Sequence, residues 1–136
     1  MVAETFELPA DMADAIIAHA CASYPAEVCG IISGRAGVGV ELYLGRNVSP
    51  TPTVAYELDI EMLARQVRFG DDGLTLAAIY HSHPAGPEVP SESDVSRAFY
   101  PDSVYLICSL AEPARPILRG FRIVDGRVHE TRLVQR

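Results

Sequence analysis

A nearly continuous apolar segment in the middle of the chain, residues 74–80, is the feature that most limits the possible folds. A strand that is apolar at almost every position must be covered on both faces, as the central strands of layered α/β proteins are. Residues 103–110 form a second segment of the same kind. The sequence therefore predicts a sheet with buried inner strands and with helices packed against it.

Two segments with helical periodicity supply candidate covering helices. Residues 9–24 place apolar side chains on one stripe, and Pro25 ends the segment. A second helix is predicted from Asp59, as its N-cap, to about Phe69. It has an apolar stripe of the kind that packs on a core. That stripe consists of Ile60, Leu63, Ala64 and Val67.

Shorter segments bounded by glycine and proline complete the pattern, and an Asp125-Gly126 pair gives the strongest hairpin signal. The order of elements predicts an α/β (α+β) fold, a single domain over residues 1–136 with a mixed central sheet flanked by helices. The remaining predicted elements are strands over 28–33, 38–44, 117–124 and 127–134 and a short helix over 91–99.

Composition and charge argue against several classes of protein. The 136 residues include 49% apolar and 21% charged residues, which suits one globular domain. A net charge of −7 argues against nucleic acid and against an anionic membrane surface as partners. The three cysteines form no Cys-x-x-Cys pair, so neither a disulfide framework nor a zinc ribbon is expected. We predict that Cys21, Cys29 and Cys108 are small buried residues.

The N-terminal segment and the lengths of the apolar runs indicate the cellular compartment. The segment before Pro9 has no basic residue ahead of an apolar stretch, so it does not have the pattern of a secretory signal. The longest apolar runs are too short to cross a bilayer. We therefore expect a cytoplasmic protein.

One constellation carries candidate chemistry: His81, His83 and Asp94, with Ser91 three residues before the aspartate. Side chains at i and i+2 of a strand point to the same side, so the two imidazoles can converge on one ion. An aspartate in the first turn of the following helix would complete a set of two nitrogen ligands and one oxygen ligand. Zinc accepts these ligands, and three of them leave the fourth position open, as in catalytic sites.

Ordinary structural explanations exist for each of these residues. A single histidine at a strand end is more often a hydrogen-bonded group than a ligand. Ser91 and Asp94 also fit a capping box, in which a serine begins a helix and an acid follows three residues later. Both interpretations remain compatible, because a capped helix start would hold Asp94 rigidly.

The spacing resembles the signature of the JAMM metalloproteases, also called the MPN-plus family. In that signature a glutamate precedes His-Ser/Thr-His, seven residues, a serine, two residues and an aspartate. Here His83 is followed by seven residues, Ser91, two residues and Asp94, and the upstream segment Pro25-Ala26-Glu27-Val28-Cys29-Gly30 is similar to that of bacterial members. The resemblance extends over nearly the whole chain and implies the JAMM/MPN fold, which is cytidine-deaminase-like.

The resemblance also implies a role for each motif residue. His81, His83 and Asp94 would bind one Zn²⁺ per chain. Glu27 would be the general base and then the general acid, and Ser91 would donate a hydrogen bond to the oxyanion. Cys29, two residues after Glu27, is a less favoured candidate nucleophile. A deaminase activity is not expected, because no Cys-x-x-Cys supplies the remaining ligands.

Members of this family cleave bonds after the C-terminal Gly-Gly of ubiquitin-like proteins. The chain is most similar to small bacterial members of the Mec type, which release cysteine from a ubiquitin-like sulfur-carrier protein in cysteine biosynthesis. The partner implied is therefore such a carrier. Two alternatives remain: an isopeptidase that removes ubiquitin-like modifiers from lysines, and a non-catalytic MPN-type scaffold. The sequence predicts no oligomeric state.

Overall fold

The computed structural model describes residues 5–136, in which seven strands and three α-helices alternate along the chain. A 3₁₀ turn, Phe69–Asp72, extends the second helix. The strands are β1 (Thr5–Leu8), β2 (Cys29–Arg35), β3 (Val38–Leu44), β4 (Thr75–His83), β5 (Val104–Ser109), β6 (Ile117–Val124) and β7 (Arg127–Gln135). The helices are α1 (Ala10–Ser23), α2 (Ile60–Arg68) and α3 (Glu92–Ser96).

The strands form one mixed sheet in the order β1-β3-β2-β4-β5-β6-β7. Strands β4 and β5 run parallel, whereas the hairpins β2–β3 and β6–β7 are antiparallel. Strand β1 pairs in parallel with both β3 and β7 and so closes the sheet into a barrel. The predicted mixed sheet is confirmed, but β1 and the closure were not predicted.

The inner strands β2, β4 and β5 are covered on both faces, as their apolar sequences predict. Alternate residues such as Tyr80 and Leu106 pack with Ile16 of α1 in one cluster. Their neighbours Ile79 and Tyr105 pack in a second cluster on the other face. The two clusters explain why almost every position of these strands is apolar.

Helix α2 forms where it was predicted, but its orientation corrects the prediction. Met62 and Phe69 contact the sheet through the second cluster. Ile60 and Val67 of the predicted stripe are 80% and 79% exposed. Asp59 is the N-cap, yet its carboxylate accepts the backbone N–H of Arg46 instead of capping the helix.

Other boundaries differ by a few residues. Strand β4 continues through His83, so the histidines belong to the strand itself. Helix α3 is shorter than predicted, with Ser91 as its N-cap. In the last hairpin, Asp125 and Gly126 have φ values of 51° and 76°, the left-handed conformations that the two-residue turn requires. No helix within residues 5–136 is long and apolar enough to cross a membrane.

Candidate active site

The two histidines of the motif converge at the end of β4. Both imidazoles are buried, with exposed fractions of 1% for His81 and 6% for His83. Their Nε2 atoms lie 3.0 Å apart. The i, i+2 spacing on a strand therefore has the effect expected from the sequence.

Asp94 reaches both histidines from the first turn of α3. Its Oδ1 lies 3.2 Å from His81 Nε2, and its Oδ2 lies 3.0 Å from His83 Nε2. The capping box is also present: the Asp94 N–H donates to Ser91 Oγ, and the Ser91 N–H donates to Asp94 Oδ2. The two interpretations of these residues are thus compatible, because the cap fixes the carboxylate that faces the histidines.

The geometry of these three side chains fits a metal ion. Their potential ligand atoms all lie within 4.8 Å of one another. Tetrahedral ligands at about 2.0–2.1 Å from an ion would be about 3.3 Å apart, close to the spacing of these atoms. His83 Nδ1 donates to the Pro87 carbonyl at 2.7 Å, so the lone pair of its Nε2 faces the cluster. A divalent cation is thus chemically compatible with the donor set.

The charges of the cluster favour the same conclusion. Burial alone would raise the pKa of Asp94, but hydrogen bonds with both histidines hold that pKa well below its usual range. Burial lowers the pKa of His81. Burial opposes protonation of His83 too, but bonds with Asp94 and the Pro87 carbonyl outweigh it and raise the pKa. Asp94 is therefore an ionised oxygen donor beside two imidazoles.

Glu27 lies next to this cluster because β2 pairs with β4. Cys29 is opposite His81 in the register, and Glu27 precedes β2 by two residues. Glu27 is 7% exposed and lines the same cleft as His83 and Asp94. Burial raises the pKa of its carboxyl to about 7, with an opposing effect of His83 and a further raising effect of Asp94. A carboxyl that titrates near neutrality is suited to general acid–base chemistry.

The backbone at Glu27 is held by the loop between β3 and α2. The Glu27 N–H donates to the Pro52 carbonyl at 2.7 Å, and Asn47 Nδ2 donates to the Glu27 carbonyl at 3.0 Å. Asn47 also bonds the Ala55 carbonyl and accepts the Glu57 N–H. Sequence reasoning missed Asn47, since an isolated asparagine in a loop gives no signal of these long-range bonds.

Aromatic side chains surround the cluster. Glu27, His83 and Asp94 line a cleft of about 450 Å³. The ring of Tyr56 stacks on His81 at a centroid distance of 4.3 Å and an interplanar angle of 20°. Sequence reasoning missed this contact as well, because Tyr56 follows a proline-rich loop without periodicity. The aromatic residues that line the cleft are Tyr56, Phe99, Tyr100 and Tyr105.

The other cysteines and histidines lie outside the cluster. Burial raises the pKa of Cys29 to about 12, which disfavours a thiolate nucleophile. Cys29 and Cys108 are buried as predicted, but Cys21 is exposed, which corrects the prediction for that residue. His19 bonds the Tyr80 hydroxyl at 2.7 Å, and His129 is exposed.

Comparisons with known proteins show to which family the chain is similar. The model of the family described as prokaryotic homologs of the JAB domain matches residues 9–123. A CysO-cysteine peptidase of Mycobacterium tuberculosis is 38% identical over 124 residues, which cover 89% of this chain and 84% of that protein. A desampylase of Haloferax volcanii is 40% identical over 119 residues, covering 80% and 84%.

A solved structure shares the fold. The solution structure of a Desulfitobacterium hafniense protein matches with a TM-score of 0.83 and 31% identity, covering 96% of this chain and 92% of that one. The match to the JAB domain model confirms the expected JAMM/MPN fold. The peptidase relatives confirm the expected enzyme class, a hydrolase, and the family implies a metal. From the family model and the similarity over most of its length, the chain belongs to the prokaryotic JAB-domain family.

Proposed function

We propose that this chain is a zinc metallopeptidase that hydrolyses the bond after the C-terminal Gly-Gly of a ubiquitin-like protein. The observation that supports it most is the convergence of His81, His83 and Asp94 at the edge of a cleft that a buried glutamate also lines. The nitrogen and oxygen donors suit zinc. A non-catalytic scaffold would have no need of Glu27 at a pKa of about 7 beside these donors.

Three residues would hold the ion: His81, His83 and Asp94. When bound, a zinc ion supplies Lewis-acid chemistry, which lowers the pKa of a water molecule and polarises a carbonyl group. Pro87 supports the ligand set by accepting the Nδ1–H of His83, which directs the other nitrogen into the cluster.

Glu27 would move the proton. Its carboxylate accepts a proton from the water that attacks the scissile carbonyl carbon, and then donates it to the leaving nitrogen. The C–N bond breaks, so the products are a C-terminal carboxylate and an amine. In the metal-free protein the pKa of this carboxyl is about 7, so both of its protonation states are accessible near neutrality, as a group that accepts and returns a proton requires.

Ser91 would stabilise the oxyanion. Its Oγ already accepts the Asp94 N–H at 3.0 Å. A hydroxyl oxygen that accepts one bond still has its O–H to donate. Ser91 lines the cleft together with Glu27, so this O–H is available to a substrate oxygen.

The relatives and the cleft support one kind of substrate. One relative is a CysO-cysteine peptidase and another a desampylase, which supports a carrier or modifier conjugate. A Gly-Gly tail has no side chains and can enter a confined cleft to reach a buried centre. We favour release of cysteine from a sulfur-carrier protein. An isopeptidase that acts on modified lysines is the second candidate, supported by the desampylase relative.

The decisive experiment pairs metal analysis with single-turnover cleavage. Glu27→Gln should retain zinc and substrate affinity but slow the chemical step by about 10²–10⁴-fold, because the amide cannot carry the proton. Asp94→Asn should bind less zinc and should also cleave more slowly. Cleavage should be compared on carrier–cysteine and carrier–lysine isopeptide conjugates. If the zinc-loaded protein cleaves neither conjugate, the proposal fails in favour of a binding role.

A further inference from the structure

The cleft contains a charged residue that the proposed mechanism does not use. Arg97 is the one arginine or lysine among the described residues that line it. Within residues 5–136 its guanidinium makes no ion pair or hydrogen bond. The other titratable groups with a charge near neutrality that line the cleft are His83 and three acids, Glu27, Glu57 and Asp94.

The position of Arg97 relates it directly to the donor cluster. Arg97 is the C-cap of α3, three residues after Asp94. Side chains three apart on a helix are neighbours on one face. The start of α3 is fixed by the capping box at Ser91, so the backbone that carries Arg97 is anchored to the site. Burial raises the pKa of the Tyr56 hydroxyl; the charge of Asp94 raises this pKa further, whereas the guanidinium of Arg97 lowers it, so both charges act at the same ring.

The charge of Arg97 is complementary to one feature of the favoured substrate. When a single amino acid is released, its α-carboxylate lies two bonds from the scissile nitrogen. The chain has a net charge of −7 and three acids line the cleft, so a cation in addition to the proposed zinc would offset their repulsion of that carboxylate. In an isopeptide bond the nitrogen belongs to a lysine side chain, so no carboxylate lies at this distance.

We propose that Arg97 forms a subsite for the α-carboxylate of the amino acid that is released. The subsite would favour a carrier that ends in one added amino acid over a lysine isopeptide. This inference rests on the proposed peptidase function and specifies its leaving group. Arginine is suited to the role because its planar donors bind a carboxylate with two hydrogen bonds.

The test combines substitutions of Arg97 with a change in the C-terminal group of the substrate. Two conjugates are compared on the zinc-loaded protein: carrier–Gly-Gly-cysteine with a free carboxylate, and the same conjugate with a C-terminal carboxamide. Arg97→Gln should lower kcat/KM for the conjugate with the free carboxylate by about 10-fold or more, chiefly by raising KM. The variant should have the same kcat/KM as the wild type for the carboxamide conjugate. Arg97→Lys should retain part of the preference.

The matched control is Arg127→Gln, which makes the same charge change on an exposed position of β7 outside the cleft. This control variant should have the same kcat/KM as the wild type for both conjugates. Equal kcat/KM of the wild type for both conjugates, or an equal loss on both in Arg97→Gln, would overturn the carboxylate subsite while leaving the peptidase intact. Failure of the wild type on both conjugates, with zinc bound, would overturn the peptidase function and the subsite with it.

Discussion

Val28 and Ser82 are joined by two buried hydrogen bonds. The Val28 N–H donates to Ser82 Oγ at 2.9 Å, and the Ser82 N–H donates to the Val28 carbonyl at 3.0 Å. Val28 follows Glu27 directly, and Ser82 lies between the two histidines. The pair therefore fixes the backbone of the candidate base relative to that of the candidate ligands.

Replacing this serine should separate positioning from metal binding. In Ser82→Ala the Val28 N–H loses its partner, which should lower the free energy of unfolding by about 1–3 kcal/mol. The kcat of the proposed peptidase reaction should fall by roughly 10- to 10²-fold because Glu27 is less well placed. The metal content should stay at one zinc ion per chain. Ser82→Thr, which keeps the hydroxyl, should restore the rate. A variant with normal kcat would show that the pair contributes to stability alone.

Removing one ligand should release the metal. We expect His83→Ala to bind less than one equivalent of zinc after dialysis, because two ligands hold the ion more weakly than three. The variant should also lose the stabilisation that a ligand of the native state provides. His129→Ala, at an exposed position of β7, is the control and should keep full metal content. Unchanged zinc in His83→Ala would rule out this ligand set.

Ser91 has two roles that one variant can separate. Ser91→Ala should lower stability by about 1 kcal/mol, because the cap of α3 is lost. If the serine also donates to the oxyanion, the chemical step should slow by roughly 10²-fold. Ser96→Ala removes another hydroxyl of α3, whose one hydrogen bond within residues 5–136 is to the Ser93 carbonyl, and should be neutral for activity. If Ser91→Ala is less stable but fully active, Ser91 caps α3 and does not stabilise the oxyanion.

The buried carboxyl of Glu27 should make stability depend on pH. Its pKa of about 7 in the fold lies above the usual 4.5, so the folded state binds the proton more tightly than the unfolded state. The resulting stabilisation is fully present below pH 4.5 and is lost as the pH rises through 7.

Glu27→Gln lacks this dependence. Denaturant unfolding should be measured on both metal-free proteins. Between pH 5 and pH 8 the free energy of unfolding of Glu27→Gln should rise, relative to that of the wild type, by on the order of 1–3 kcal/mol. Metal must be absent, because a bound cation would favour the ionised carboxylate. A difference between the two proteins that does not vary with pH would contradict a raised pKa.

The sequence was most informative where the chain itself sets a distance. Two histidines at i and i+2 of one strand must share a side, and their Nε2 atoms lie 3.0 Å apart. Ser91 and Asp94 sit within one helical turn, and their capping box could be predicted for the same reason. The roles of these residues remain proposals, but their proximity did not require knowledge of the rest of the fold.

What the sequence could not predict depends on contacts between distant segments. The stripe containing Ile60 and Val67 has helical periodicity, yet periodicity does not say which side of a helix is covered. Here Met62 and Phe69 fill the space against the sheet instead. Tyr56 stacks on His81 from a loop, and no local pattern indicates such a contact.

The closure of the sheet by β1 has a consequence for the order of folding. Strand β1 pairs with β7 through partners such as Thr5 and Arg132, nearly the full chain length apart. Bringing such distant segments together costs more conformational entropy than closing either hairpin. We therefore expect β1 to join last, onto strands already assembled by their shorter connections. In the native protein we expect its amides to be among the first strand amides to exchange with solvent, because β1 has only four residues and its release leaves both hairpins paired.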